Sequence, residues 1–118
     1  MVLRDAELQE QLNRFFDYVQ KRIRVHTFIL FGSYARGTPR DWSDVDVAVI
    51  SPEWSDMTRQ ERMLILGRWA WASGAHWVEP VGYTPEELAR ALPGSFVGDI
   101  RDKGIHFTPE NAPADAGG

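Results

Sequence analysis

The sequence predicts a small α/β domain, one β-sheet with helices packed against it. Segments of helical period alternate with apolar runs of strand length in the order α-β-α-β-α-β-α. At 118 residues, 43% hydrophobic and 25% charged, the chain can bury one modest core and is not of disordered composition. Acidic residues fall at the ends of neighbouring strand-like runs, which gathers carboxylates along one end of the expected sheet.

From Asp5 to Arg24, Leu8, Leu12, Phe15, Phe16, Val19 and Ile23 recur at helical spacing, so one stripe should be buried. Asp5 is a suitable N-cap, and Lys21, Arg22 and Arg24 stand where a helix dipole favours cations. Val25–Phe31 is the first strand, continuously apolar and so expected to be buried on both faces. A short helical segment follows over Tyr34–Gly37, then a loop through Trp42, then a second strand over Asp44–Ile50 closed by Ser51-Pro52. Ser55 or Asp56 is expected to cap a helix from about Thr58 to Ser73, stopped by Gly74.

That helix is apolar nearly all round, and Trp69 and Trp71 leave it about 200° apart, so one core cannot easily take both. Either another segment packs over the second or a partner covers it. His76–Tyr83 is the third strand, with Trp77, Glu79 and Val81 expected on one face. Pro80 cannot donate to a ladder and implies an edge or a bulge. Thr84, Pro85 and Glu87 form a capping box for a helix ending by Leu92. Phe96–Lys103 is a last short helix and Ile105–Phe107 a closing strand or extended tail. The composition of Thr108–Gly118 predicts disorder, which leaves residues 1–107 as the domain.

The chemistry is concentrated in Phe28–Ile50, FILFGSYARGTPRDWSDVDVAVI. Asp44 and Asp46 alternate with Val45, Val47 and Val49, so at strand period both carboxylates leave one face. Two such acids repel and are costly to desolvate, an objection that a bound Mg²⁺ removes. Gly32-Ser33, at the opening of a helical turn, offers backbone N–H groups to a phosphate. Arg36 suits either a nucleotide phosphate or a local carboxylate. The combination points to phosphoryl or nucleotidyl transfer.

Gly32-Ser33, ten residues, then Asp44-x-Asp46 resembles the signature of the DNA polymerase β-type nucleotidyltransferases. The fuller string GSYARGTPRDWSDVDVAV resembles the minimal nucleotidyltransferases, often paired with HEPN-domain ribonuclease toxins; aminoglycoside nucleotidyltransferases share the motif. The resemblance covers about Leu8 to Phe107. It implies a polymerase β-type core with a mixed sheet, and two-metal nucleotidyl transfer in which Asp44 and Asp46 hold two Mg²⁺ ions. Glu79 would be the third carboxylate, ligating the catalytic metal or acting as base; family members often carry Asp there. Gly32 would admit the nucleotide and Ser33 bind its β- or γ-phosphate. The implied substrate is ATP, and the implied acceptor is a HEPN-type toxin that adenylylation would silence, making this chain an antitoxin. Two alternatives stand beside it: a non-catalytic antitoxin acting by occlusion, and a homodimeric small-molecule nucleotidyltransferase. The helix bearing Trp69 and Trp71 is the expected interface with a partner or a second copy.

Other classes fit poorly. A net charge of −4 argues against a broad electrostatic grip on nucleic acid. The absence of Cys rules out disulfides and thiolate zinc sites and accords with a cytoplasmic protein, and His26, His76 and His106 lack the spacing of a zinc site. No signal peptide or membrane-spanning run is evident.

Overall fold

A computed structural model describes residues 2–109. The sheet has four strands in the order β3-β2-β1-β4, where β1 is Thr27–Phe31, β2 Val45–Ile50, β3 Val78–Tyr83 and β4 Ile105–Phe107. β1 runs antiparallel to β2 and β4, while β2 and β3 are parallel, so the sheet is mixed. The helices are α1 (Asp5–Gln20), α2 (Gly32–Arg36), α3 (Arg59–Ala72), α4 (Pro85–Arg90) and α5 (Phe96–Lys103). No described helix is long and apolar enough to cross a membrane.

Both faces of the sheet are covered, as the continuous apolar runs of β1 and β2 require. On one face Phe28, Leu30, Val47 and Val49 meet Leu12, Phe15 and Val19 of α1 and Leu66 and Ala70 of α3. On the other, Ile29, Ala48, Ile50 and Tyr83 meet Leu88 of α4 and Ile100 of α5. Asp46 alternates with the buried Val45 and Val47, so it belongs to this second face, toward the end that begins β2.

Several boundaries differ from expectation. α1 begins with Asp5 itself; Arg4 is the N-cap, its backbone N–H donating to Glu7 Oε1 at 2.8 Å, and Asp5 adds first-turn charge. α1 also stops at Gln20, short of Arg24, because the Arg24 N–H leaves the helix to donate to Glu53 at 2.7 Å. Arg22 folds back to donate to the Tyr18 carbonyl at 2.9 Å. The cap of α3 is Thr58, not Ser55 or Asp56, through a reciprocal box with Glu61 at 3.1 and 2.8 Å. The box at Thr84 and Glu87 forms as the sequence predicts. Trp77 does not share the face of Glu79: it precedes the strand, where alternation no longer applies, and packs with the α1–α3 core.

Pro80 lies on an edge strand, as its missing N–H demands. Farther along that edge the Gly82 carbonyl is occupied by Arg62, a buried guanidinium that also pairs with both Glu87 oxygens at 2.7 and 3.2 Å. The two tryptophans divide. Trp69, half-buried, packs against the core beside Trp54, ring centroids 6.3 Å apart. Trp71 is 70% exposed. From residue 110 onward, the expected disordered tail lies outside the described residues.

Candidate active site

Antiparallel pairing brings the C-terminal end of β1 to the N-terminal end of β2, with Phe31 opposite Asp46. Parallel pairing then sets Glu79 of β3 opposite Asp46 on its other side. Residues paired in register project to the same face, so these two carboxylates are neighbours although a whole helix separates them in sequence. Asp44, exposed and just before β2, completes the acidic group.

The chain turns from β1 into α2 at Gly32. Its φ of 75° is a left-handed conformation that disfavours other residues, and a Cβ there would overlap Asp46 Oδ2. Gly32 is therefore required twice, once by its backbone and once by the carboxylate lying against it. Ser33 follows, half-buried, and its carbonyl accepts from Thr38 N–H at 3.0 Å, closing the turn at the end of α2. Tyr34 anchors α2 inward, its hydroxyl accepting from the Leu3 backbone N–H at 3.0 Å.

Charges at the site oppose one another. Burial first, then the charge of Asp44, holds the Asp46 carboxyl above the usual carboxylate range, while Arg36 partly offsets the rise. Glu79 is also raised, chiefly by a hydrogen bond with Asp44, then by burial and the charges of Asp44 and Asp46. Arg36 is exposed and close enough to Asp46 to act on its charge.

The donors are hard oxygens in a repulsive group, the type that suits Mg²⁺. Among the described residues no three or more His, Asp or Glu side chains form a ready cage for a metal ion. Mg²⁺ characteristically takes one or two protein carboxylates together with substrate phosphates, and the carboxylates of Asp46 and Glu79, paired in register, are donors of that type.

Gly32, Arg36, Asp46 and Glu79, though not Asp44, open onto a cavity of about 790 Å³, within the range of small-molecule sites. Sequence reasoning missed two of its walls. α5 contributes Phe96, Asp99 and Lys103, with Phe96 edge-on to Phe31 at 5.7 Å between centroids. α3 contributes Met63, Gly67 and Trp71. The exposed apolar residues on these helices were the only available signal, and nothing in their spacing ties them to the carboxylates.

The fold has solved counterparts. One is a protein provisionally described as a nucleotidyltransferase from Sulfolobus solfataricus, with a TM-score of 0.56, 18% identity, and 94% of each chain covered. Another is a toxin-antitoxin structure with AMP-PNP, with a TM-score of 0.56 and 22% identity, covering 85% of this chain and 75% of that one. No curated protein matches the chain. The family model described as the nucleotidyltransferase domain matches residues 12–97, a span running from α1 into α5 and holding every carboxylate of the site. By that match over most of its length, the chain belongs to the nucleotidyltransferase domain family.

Proposed function

We propose that this protein transfers AMP from ATP to an acceptor hydroxyl on a partner HEPN-type toxin, acting as its antitoxin in the cytoplasm, with residues 1–107 as the catalytic domain. The observation that carries the reading is the seating of Asp46 against Gly32 with Glu79 in register beside it. A Gly32-Ser33 turn that received a phosphate would then hold it beside the carboxylates, which is what transfer at an α-phosphorus requires.

Asp44, Asp46 and Glu79 would hold two Mg²⁺ ions, which supply charge neutralisation at the triphosphate and acidify the acceptor hydroxyl when bound. Gly32, lacking a Cβ, leaves room for the Asp46 carboxylate at the turn where the triphosphate would sit, and Ser33 would bind the β- or γ-phosphate. Arg36 adds positive charge beside Asp46, where the triphosphate would bring more negative charge. The acceptor oxygen attacks the α-phosphorus in line, the bond to the β-phosphate breaks, and pyrophosphate leaves. Glu79 either completes the metal-holding set or, as base, takes the hydroxyl proton. The toxin-antitoxin counterpart with AMP-PNP supports the nucleotide and the partner class.

The test supplies ATP labelled at the α-phosphate, magnesium, and the protein encoded beside this one. Label is expected on that partner with wild type and not with Asp46→Asn. Transfer that persists in Asp46→Asn ends the carboxylate assignment.

A further inference from the structure

The acidic side of the cavity has a counterpart on the opposite flank of β1. β2 brings Asp46 to one side of that strand's C-terminal end, where it pairs with Phe31. On the other side the β4 pairing ends with Ile105 opposite Leu30, so the chain leaves α5 and enters β4 beside the Gly32 turn. Gly104 makes that junction. Its φ of −76° suits any residue, but a Cβ there would overlap Ile29 and come within 3.1 Å of the Leu30 carbonyl oxygen. The end of α5 is therefore pressed onto β1. The residue before Gly104 is Lys103, which lines the same cavity as Gly32, Arg36, Asp46 and Glu79.

Lys103 is only weakly engaged within the protein. Its side chain is 77% exposed, and its ion pair with Asp99 spans 3.7 Å, too long for a charge-assisted hydrogen bond. An exposed pair of this kind contributes little to stability. A cation in the last turn of a helix suits the dipole, but that does not account for its place on the cavity wall. A triphosphate seated at Gly32-Ser33 would meet the carboxylates, where metal belongs, on its β2 side. Its remaining oxygens would then turn to the β4 side, where a flexible ammonium suits phosphate as a point charge. Arg36, at the end of α2, supplies the other cation of the cavity.

Resting on the nucleotidyltransferase reading, we propose that Lys103 is a substrate-binding residue that grips the β- and γ-phosphates of ATP from the β4 side, across β1 from Asp46. Its charge makes the site favour the triphosphate over AMP.

Calorimetric titration of the full chain with ATP and with AMP, both in excess magnesium, tests this. Lys103→Ala should weaken ATP binding about tenfold or more, the loss of one charge-assisted contact, and leave AMP binding within about twofold. Lys103→Arg keeps a cation at the phosphates and should hold ATP affinity within about threefold. The chain's other lysine, Lys21, pairs with Asp17 at 3.1 Å and does not line this cavity. Lys21→Ala removes the same charge there and should change ATP affinity by no more than about twofold, because salt screens distant charges. The urea midpoint of Lys103→Ala should match wild type, since the side chain is exposed. Unchanged ATP affinity in Lys103→Ala, an equal loss for AMP, or an equal loss in Lys21→Ala overturns the assignment. Unchanged ATP affinity with a lowered urea midpoint would leave Lys103 serving the helix end alone. A wild type that binds no ATP overturns the nucleotidyltransferase reading instead.

Discussion

Replacing Gly32 by alanine puts a methyl group where the Asp46 carboxylate lies, and a second glycine provides the control. Gly32 and Gly37 bracket α2 with the same φ of 75°, but a Cβ at Gly37 meets nothing within 4 Å. Each substitution incurs the left-handed backbone penalty, about 1–2 kcal/mol. Only Gly32→Ala also drives Asp46 from its rotamer, a further ~0.5–1.5 kcal/mol, because the clash is with the end of a side chain that can swing. Urea unfolding should therefore show Gly32→Ala less stable than Gly37→Ala by about 0.5–1.5 kcal/mol at unchanged m-value. In an Asp46→Ala background that excess should vanish, since the clashing group is gone. Activity should separate the pair more widely: a carboxylate displaced by an ångström costs about 100-fold, so Gly32→Ala loses transfer while Gly37→Ala stays within a few-fold. Equal stabilities together with full activity in both variants would refute the idea that Asp46 is seated against Gly32.

Asp46→Asn should abolish transfer yet raise the thermal-unfolding midpoint of the metal-free protein at neutral pH. The sign follows from its raised carboxyl: stability is fully present below the ordinary carboxylate value and is lost as pH rises through the raised one, so a neutral amide escapes that loss. A lower midpoint for the variant would contradict this. Arg62→Met strands Glu87 and the Gly82 and Met57 carbonyls, and with Glu87 partly exposed should cost about 2–4 kcal/mol in urea unfolding. Glu87 is held below its usual range chiefly by Arg62, so wild-type stability is lost as pH falls through the lowered value, and the variant should show a flatter acid limb. Trp69→Ala should cost about 1–3 kcal/mol, whereas Trp71→Ala should stay within about 0.5 kcal/mol, as expected for half-buried and exposed sites. Similar losses for both would place Trp71 in the core.

Features that depend on near neighbours in the chain were legible without coordinates. The Gly32 turn, the Thr84–Glu87 box and the amphipathic stripe of α1 are all local. Even so, the Thr58–Glu61 box is equally local and was passed over for Ser55 or Asp56, which sit in the turn before it. Other features depend on which distant segments meet. Strand pairing across α3 made Glu79 the neighbour of Asp46, and packing turned Trp69 inward while leaving Trp71 on the cavity wall. Burial of Arg62 follows from α4 arriving with Glu87, which no pattern within α3 announces. The sequence by itself determined the local conformations and the candidate ligands, because period and capping act over a few residues. Only the tertiary structure decided which carboxylates share a site and which apolar faces stay open, because desolvation and close packing are settled between segments far apart in the chain.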